Sequence, residues 1–428
     1  MNVYFETYGC AANRSHSEVM KGLLLRSGCE IVENQELADV LVVNSCIVKG
    51  PTENRIIHRL KEFREEDGER NIILAGCMPQ AEYERAREFA PEASFVGPHN
   101  CKDIQKAVKS TYEGETVEFL DERREEKLCL PRMRYNELID ICEIAQGCTG
   151  NCTYCQVKFS KGSLKSYDPG NIEEEIRQSL NTGCKEIWMT CQDTASYGRD
   201  IGSSFPDLMQ RILNLSGKFR IRIGMMNVDT LNENLKDTID IFRDERVYSF
   251  LHLPLQSGSD KVLERMGRNY TSDGFVETVE TFREEVEDLN LWTDVMVGFP
   301  GETEQDFKKT ERVLKDVKPE NVNVSRFSPR PGTEAKDMEK VRSEVKKTRS
   351  KEMSEITETI RRDARKELEG TEREVLITER GEGEMEWKGR DMAYRNVLVE
   401  TERNIRGSFR DVEIVDVEDT YLKGMLSE

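Results

Sequence analysis

The chain has 428 residues, and at about 100 to 200 residues per domain this length predicts two to four domains. With 37% hydrophobic and 34% charged residues, and no apolar run of about 18 residues, the sequence argues against a membrane protein. Its 82 acidic and 63 basic residues give a net charge of −19, so a nucleic-acid contact would need local basic patches. No secretory leader is recognisable, and we expect a cytoplasmic protein without membrane contacts.

The first hundred residues alternate short apolar strands with amphipathic helices. The predicted strands are NVYFETYG, DVLVVNSC, NIILAGC and ASFVG. This alternation is typical of a parallel sheet covered by helices, and it predicts an open parallel α/β domain over residues 1–118. The charged stretch DERREEKLCLPRMR then interrupts the pattern and predicts a linker over residues 119–138.

Six further strands, each followed by a helix-length segment, predict a partial (β/α)6 barrel over residues 139–369. Its last helix, from about Glu339 to Leu368, mixes both signs of charge and is interpreted as a solvated packing helix. From residue 370 to 428, short β-rich pieces separated by glycine predict a small antiparallel β-barrel. The fold class is therefore α/β with an appended β-barrel.

Twelve cysteines in a reducing compartment indicate metal or redox chemistry where they cluster. Cys148, Cys152 and Cys155 form a CxxxCxxC motif directly after the first strand of the predicted barrel. Three thiolates on one loop can bind three irons of a [4Fe–4S] cluster and leave the fourth iron open to a ligand. A zinc loop is the alternative, although zinc usually takes a fourth protein ligand and a different spacing.

A second trio follows from the predicted strands. Cys10, Cys46 and Cys77 each lie at the carboxyl end of a predicted parallel strand, and such ends share one ligand-binding edge of the sheet. Gly9 and Gly76 precede two of them and would let the backbone approach a bulky cluster. We favour a second cluster, and the alternative is that the three are ordinary buried cysteines, as we expect for Cys142 and Cys184.

In this context the chain resembles the radical S-adenosylmethionine methylthiotransferases over nearly its whole length. The segments that carry the resemblance are ETYGCAANRSHSE, VVNSCIVKGPTE, LAGCMPQ, QGCTGNCTYCQVKFSKGSLKSY, CQDTASYG, LHLPLQSGSD, MGRNYT, DVMVGFPGET and SPRPGTEA. The opening segment, QDTASYG and RIRIGMMNV are most similar to the archaeal and eukaryotic members, which convert N6-threonylcarbamoyladenosine next to the tRNA anticodon to its 2-methylthio form. Sister groups modify isopentenyladenosine in tRNA or an aspartate of a ribosomal protein. A non-enzymatic iron–sulfur or RNA-binding scaffold is a further alternative.

The resemblance implies two [4Fe–4S] clusters and S-adenosylmethionine as cofactors, and tRNA, an electron donor and a sulfur donor as partners. The CxxxCxxC cluster would bind S-adenosylmethionine, whose reductive cleavage releases a 5′-deoxyadenosyl radical, while the second cluster would hold the sulfur to be inserted. We assign the cysteine trios as the metal ligands.

The resemblance also suggests which other side chains touch cofactor or RNA. The candidate cofactor contacts are Tyr154, Gln192, Asp193, Arg222, Gln256 and Ser257. Loop-anchoring hydrogen bonds are the alternative for each of them. The C-terminal module resembles the RNA-binding TRAM barrel, with candidate RNA contacts at Arg403, Arg406 and Arg410, and a structural cap is its alternative role.

Overall fold

The structure is a computed structural model that describes residues 1–47, 50–67, 71–123 and 125–427. Residues 48 and 49 of the VVNSCIVKGPTE segment, residue 124 of the predicted linker and the final residue lie outside the described part. Across the described ranges, no helix combines the length and the apolar character that a membrane span requires.

The N-terminal sheet is parallel throughout, with the strand order β2-β1-β3-β4-β5-β6 over the described residues. Its strands are β1 Asn2–Thr7, β2 Glu30–Val32, β3 Val40–Ser45, β4 Ile72–Gly76, β5 Ser94–Val96 and β6 Glu118–Phe119. Helices α1 Ala11–Arg26 and α5 Ile104–Tyr112 pack on one face, and α2 Gly50–Asp67 and α4 Tyr83–Phe89 on the other, with the short helix α3 Cys77–Ala81 following β4. The predicted strands are confirmed, and β2 and β6 were too short to show an apolar pattern.

The central domain is the predicted partial barrel. Its parallel strands are β7 Ile139–Glu143, β10 Glu186–Thr190, β11 Arg220–Ile223, β12 Phe250–His252, β13 Asn290–Val297 and β14 Asn321–Arg326, and β8 Ala145–Gln146 pairs with β9 Lys165–Ser166. The sheets β7-β10-β11 and β12-β13-β14 meet at a parallel bridge between Ile221 and Val247. The helices are α6 Val157–Lys161, α7 Pro169–Asn181, α8 Phe205–Leu213, α9 Val228–Asn232, α10 Leu235–Phe242, α11 Asp260–Arg265, α12 Ser272–Glu285, α13 Glu304–Val317 and α14 Ser343–Lys366.

Strand β13 shows how the barrel separates its two faces. Leu291 and Val295 are buried in the core that also contains Phe307 of α13. Trp292 and Asp294 alternate with them along the strand and are partly exposed. Because successive side chains of a strand point to opposite faces, this second set lies on the concave inner face of the barrel.

The C-terminal barrel consists, within the described residues, of β15 Glu372–Arg380, β16 Glu386–Arg390, β17 Asn396–Glu400, β18 Phe409–Val417 and β19 Leu422–Leu426. It closes in the order β15-β16-β17-β19-β18, so the predicted small β-barrel is confirmed. The pair β17–β19 is parallel, whereas a purely antiparallel barrel was expected. A closed ring with an odd number of strands cannot alternate direction all the way round, so at least one neighbouring pair must be parallel.

The C-terminal barrel docks on the amino ends of the central strands. The amide of Asn290, the first residue of β13, donates to the carbonyl oxygen of Ala393 at 2.7 Å. Arg395 donates to Glu320 at 2.8 Å and to Asp288 at 2.8 Å. Glu320 directly precedes β14, and Asp288 lies two residues before β13. The carboxyl ends of these strands, where ligands bind in α/β folds, therefore lie at the opposite end of the domain.

Glu18 on α1 is buried against the linker, and its environment predicts a stability that depends on pH. Its Oε1 accepts the N–H of Tyr135 at 3.2 Å, whereas Oε2 has no hydrogen-bond partner among the described residues. Burial raises the pKa of Glu18 to about 7, and the Tyr135 N–H and Arg132 offset only part of this effect. The folded state therefore keeps a proton that the unfolded chain loses near pH 4.5, so stability falls as pH rises between these values.

A Glu18→Gln variant is expected to gain up to about 3 kcal/mol in unfolding free energy above pH 8 and almost nothing below about pH 5. Denaturant unfolding at several pH values measures the difference. A stability difference that does not change with pH would contradict the raised pKa.

Candidate active site

The CxxxCxxC loop leaves strand β8 through Gly147, whose φ of +85° suits glycine. A Cβ at this position would clash with the carbonyl oxygen of Ser163. The N–H of Gly150 donates to Sγ of Cys148 at 3.3 Å, and the N–H of Cys155 donates to the carbonyl oxygen of Cys152 at 3.1 Å. The loop thus folds back on itself and brings its thiols together at the carboxyl end of the barrel strands.

The second trio converges around Asn13 of α1. The Cys77 Sγ lies 3.8 Å from Asn13 Oδ1, and the Asn13 amide donates to the carbonyl oxygen of Ser45, the residue before Cys46, at 2.9 Å. Cys46 and Cys77 are buried, and Cys10 is exposed at the start of α1. The three strands that precede them, β1, β3 and β4, are neighbours in the sheet. The structure therefore brings together the three cysteines that the predicted strand ends singled out.

Both trios fit the donor set of a [4Fe–4S] cluster. Burial raises the pKa of Cys148 to about 11, and it also raises the pKa of Cys77. Iron binds the thiolate, so these sites would exchange a thiol proton for metal. Among the described residues, no three Cys, His, Asp or Glu side chains are close enough to share a single metal ion. The ligands of a [4Fe–4S] cube bind different irons and stand further apart.

The two trios are connected by helices in direct contact. Helix α3 begins at Cys77, and α6 begins two residues after Cys155, and the two helices pack against each other. The amide of Gln156, next to Cys155, donates to Glu82 Oε1 at 2.9 Å. The edge of the N-terminal sheet and the edge of the barrel consequently face one another, as expected for two sites that share one cavity.

A buried ionic cluster joins the N-terminal domain, the linker and the barrel. Glu143, at the end of β7, accepts from the ammonium of Lys127 at 3.1 Å and from the hydroxyl of Tyr167 at 3.0 Å, and its Oε2 lies 3.1 Å from His16 Nε2. Burial lowers the pKa of His16 to about 3, so His16 is neutral at pH 7. Burial opposes ionisation of Glu143, but the Lys127 and Lys161 ammonium groups and the hydrogen bond of His16 outweigh it and hold its pKa well below the usual range.

Comparison with known proteins identifies the family. The Radical SAM superfamily model matches residues 142–314, and the model of Uncharacterized protein family UPF0004 matches residues 2–97. The probable threonylcarbamoyladenosine tRNA methylthiotransferase of Methanothermobacter thermautotrophicus is 37% identical, over 99% of both chains. The human threonylcarbamoyladenosine tRNA methylthiotransferase is 34% identical over 99% of this chain and 73% of its own. The chain belongs to the family of threonylcarbamoyladenosine tRNA methylthiotransferases. It is therefore a radical S-adenosylmethionine enzyme, and the family expected from the sequence motifs is confirmed.

A solved structure supports the fold of this family member. The radical S-adenosylmethionine methyltransferase TsrM from Kitasatospora setae, with tryptophan and an S-adenosylmethionine analogue bound, superposes with a TM-score of 0.55 at 13% identity. The superposition covers 78% of this chain and 75% of TsrM. At this identity the similarity concerns the fold alone.

Several residues predicted to contact S-adenosylmethionine already hydrogen-bond to the protein. Gln192 Oε1 accepts the N–H of Gly147 at 2.6 Å and so positions the start of the cysteine loop. Asp193 accepts the N–H of Asn227 at 3.0 Å and the hydroxyl of Thr230 at 2.8 Å, and burial raises its pKa. These bonds are the loop-anchoring alternative considered for this pair, and a direct cofactor contact stays a prediction.

The remaining cofactor candidates occupy three different settings. The Arg222 guanidinium lies over the ring of Phe250, 5.2 Å from its centroid, on the inner barrel face. Gln256 adopts a φ of +62° and forms a parallel β-bridge with Val295 of β13. The buried hydroxyl of Ser257 lies 3.4 Å from that of Thr310 on α13. Ser257 is therefore anchored between two elements, and the cofactor roles of all three stay predictions.

Tyr154 and a residue without a predicted role, Arg268, form a partly buried pair beside the cysteine loop. Arg268 donates to the hydroxyl of Tyr154 at 2.6 Å and to Asn227 Oδ1 at 2.6 Å. Its Nε has no hydrogen-bond partner among the described residues. Because Asn227 also donates to Asp193, the network runs from the cysteine loop to the end of the second barrel strand. In the sequence, Arg268 is marked only by its place in the MGRNYT segment, which carries part of the family resemblance.

The three candidate RNA-contacting arginines of the C-terminal barrel are all exposed, but they differ in their contacts. Arg403 and Arg410 are exposed, and Arg410 donates to the hydroxyl of Ser408 at 3.0 Å. Arg406 instead donates to the carbonyl oxygen of Thr378 at 3.4 Å and to Asn136 Oδ1 at 3.4 Å. Arg406 is thus exposed and also links the barrel to the linker.

Gly9 provides a selective test of the second cysteine trio. Its φ is +112°, and a Cβ there would lie 2.6 Å from Cys46 Cβ and 3.0 Å from Cys46 Sγ. Gly9→Ala is expected to displace Cys46 and to lower the bound iron to about four atoms per chain instead of about eight. Gly28→Ala is the matched control, because Gly28 has a φ of +87° but an added Cβ would meet nothing within 4 Å. Equal iron content in both variants would refute the expectation.

Proposed function

We propose that this family member converts N6-threonylcarbamoyladenosine in tRNA to its 2-methylthio derivative, using two [4Fe–4S] clusters and S-adenosylmethionine. The carrying observation is that α3, which begins at Cys77 of one trio, packs directly against α6, which follows the loop that holds the other trio. The names of the relatives from Methanothermobacter thermautotrophicus and human support the choice of substrate.

In this proposal, Cys148, Cys152 and Cys155 hold the cluster that binds S-adenosylmethionine, and Cys10, Cys46 and Cys77 hold a second cluster. Bound S-adenosylmethionine supplies the radical chemistry that an unactivated aromatic C–H bond requires. Two other side chains position the loop that carries the first of these trios. Gln192 fixes the start of the cysteine loop, and Arg268 holds the Tyr154 hydroxyl beside it.

The reaction also defines the partners. Inserting sulfur and cleaving S-adenosylmethionine reductively require a sulfur donor and an electron donor, in addition to tRNA. Reduced cysteines and a tRNA substrate favour the cytoplasm as the site of action.

Mass spectrometry of digested tRNA nucleosides tests the proposal. The host should make threonylcarbamoyladenosine without its methylthio form, and it should express the chain, a Cys148→Ala variant or a Cys129→Ser control. Cys129 is exposed in the linker and belongs to neither trio. A 2-methylthio product that requires Cys148 but not Cys129 supports the proposal. If the clusters assemble and no product forms, the substrate is another tRNA adenosine or a ribosomal-protein aspartate.

The exposed arginines of the C-terminal barrel lead to a binding prediction. Replacing Arg403 and Arg410 by Gln should weaken tRNA binding. The slope of log affinity against log salt concentration should fall by the equivalent of about two phosphate contacts, because each cation displaces counterions from the tRNA backbone. Filter binding at several salt concentrations measures both quantities. The exposed pair Lys106→Gln and Lys109→Gln on α5 removes the same charge and is the control. An unchanged salt slope would leave the barrel as a structural cap.

A further inference from the structure

Lys161, the last residue of α6, is a buried cation beside Glu143. Its side chain is 3% exposed, and its Nζ has no hydrogen-bond partner among the described residues. The nearest carboxylate oxygen, Glu143 Oε1, is 3.9 Å away, which is too far for a hydrogen bond. A buried ammonium group with three unused donors is costly unless another group satisfies it.

The neighbouring Lys127 shows what a satisfied ammonium looks like in the same cluster. Lys127 donates to Glu143 at 3.1 Å, to Gln146 at 2.7 Å and to the Tyr167 hydroxyl at 3.1 Å. Two ammonium groups therefore share one carboxylate, while His16 is neutral because burial lowers its pKa to about 3. Within this cluster, one positive charge is left without a negative counterpart.

The second cysteine trio is the place beside α6 where a further negative charge would form on binding a cluster. Helix α6, which ends at Lys161, packs against α3, which begins at Cys77. A [4Fe–4S] cluster held by three thiolates carries net negative charge and has one iron open to a further ligand. Cys10 is exposed, so a small ligand can approach this side of the site.

We propose that Lys161 binds an anionic sulfur ligand, hydrosulfide or a small alkyl thiolate, at the open iron of the Cys10, Cys46 and Cys77 cluster. This inference rests on the proposed function, because it requires the second cluster. Lys161 is then a positioning residue for the sulfur that is transferred. Its ammonium stabilises the anion by an ion pair, in a buried setting where such a pair is strong.

The test uses the full chain with Cys148, Cys152 and Cys155 all replaced by Ala, so that only the second cluster can form. Sodium sulfide and sodium methanethiolate are titrated separately into the reduced protein, and electron paramagnetic resonance of the cluster reports binding. The comparison includes Lys161→Met, Lys161→Gln, Lys161→Arg and the exposed-charge control Lys106→Gln.

The parent should bind both anions, and loss of the Lys161 charge should weaken binding by at least about tenfold. Lys161→Arg should restore part of this affinity, and Lys106→Gln should match the parent. Equal affinity in the charge-removed variants would overturn the inference. So would a cluster that assembles with Arg but with neither Met nor Gln at position 161, because the charge would then serve the cluster and not the ligand. If the parent itself assembles no cluster, the two-cluster proposal fails instead.

Discussion

A Cys77→Ala variant is expected to cleave S-adenosylmethionine reductively while forming no methylthio nucleoside, whereas Cys148→Ala should do neither. The two residues belong to separate trios: Cys77 begins α3, Cys148 lies in the loop before α6, and these two helices pack against each other. Removing one thiolate from a three-thiolate site should release that cluster and leave the other one bound. Each variant should therefore contain about four irons per chain, against about eight in the unaltered protein.

Three measurements on the same preparations check this prediction: iron content, 5′-deoxyadenosine release under reducing conditions, and methylthio product. Cys129→Ser, exposed and outside both trios, should retain all three. Product formation by Cys77→Ala would eliminate the second cluster from the mechanism. Loss of S-adenosylmethionine cleavage in Cys77→Ala, with four irons still bound, would show that the two sites do not act independently.

Glu143→Gln is expected to lower the free energy of unfolding by about 3 to 5 kcal/mol, the usual cost of removing one partner from a buried ion pair. Glu143 is the shared acceptor for Lys127 and Tyr167, and its carboxylate faces Lys161 at 3.9 Å. The neutral amide would leave both buried ammonium groups without a counter-charge. Because these residues come from the linker and the barrel, the loss should loosen the contact between the domains.

Denaturant unfolding measures this cost, with Glu137→Gln as the control. Glu137 has an 87% exposed side chain, and its carboxylate lies 3.9 Å from Arg406. An exposed pair of this kind contributes about 0 to 1 kcal/mol. A Glu143→Gln midpoint equal to that of the control would contradict the view that this cluster holds the domains together.

The arrangement of domains explains how the two trios come to lie on the same side of the protein. Helix α1 of the N-terminal domain packs on β7, and the hydroxyl of Ser15 donates to the carbonyl oxygen of Ile141 at 2.9 Å. At the other end of the barrel, the C-terminal domain covers the strand starts through Ala393 and Arg395. The carboxyl ends of the central strands are thus left on the side of the protein that carries both cysteine trios.

Local sequence determined the features that depend on neighbouring residues. The CxxxCxxC spacing alone predicts one loop with three thiols, because its members are held within eight residues of the chain. The alternation of strands and helices predicts parallel sheets, and parallel strands place their carboxyl ends at a common edge. This rule was sufficient to group Cys10, Cys46 and Cys77 from three separate segments. The exact extent of each domain stays a prediction, since its boundaries were drawn from composition.

Tertiary structure alone decided the features that depend on packing between distant segments. Glu143, His16, Lys127 and Lys161 show no common pattern in the sequence, and their shared burial arises because α1, the linker and α6 meet at the end of β7. The side of the barrel on which the C-terminal domain docks likewise leaves no periodic signal. Periodicity records which face of an element is apolar, but the choice between partners for that face is made by shape and charge complementarity across the assembled domains.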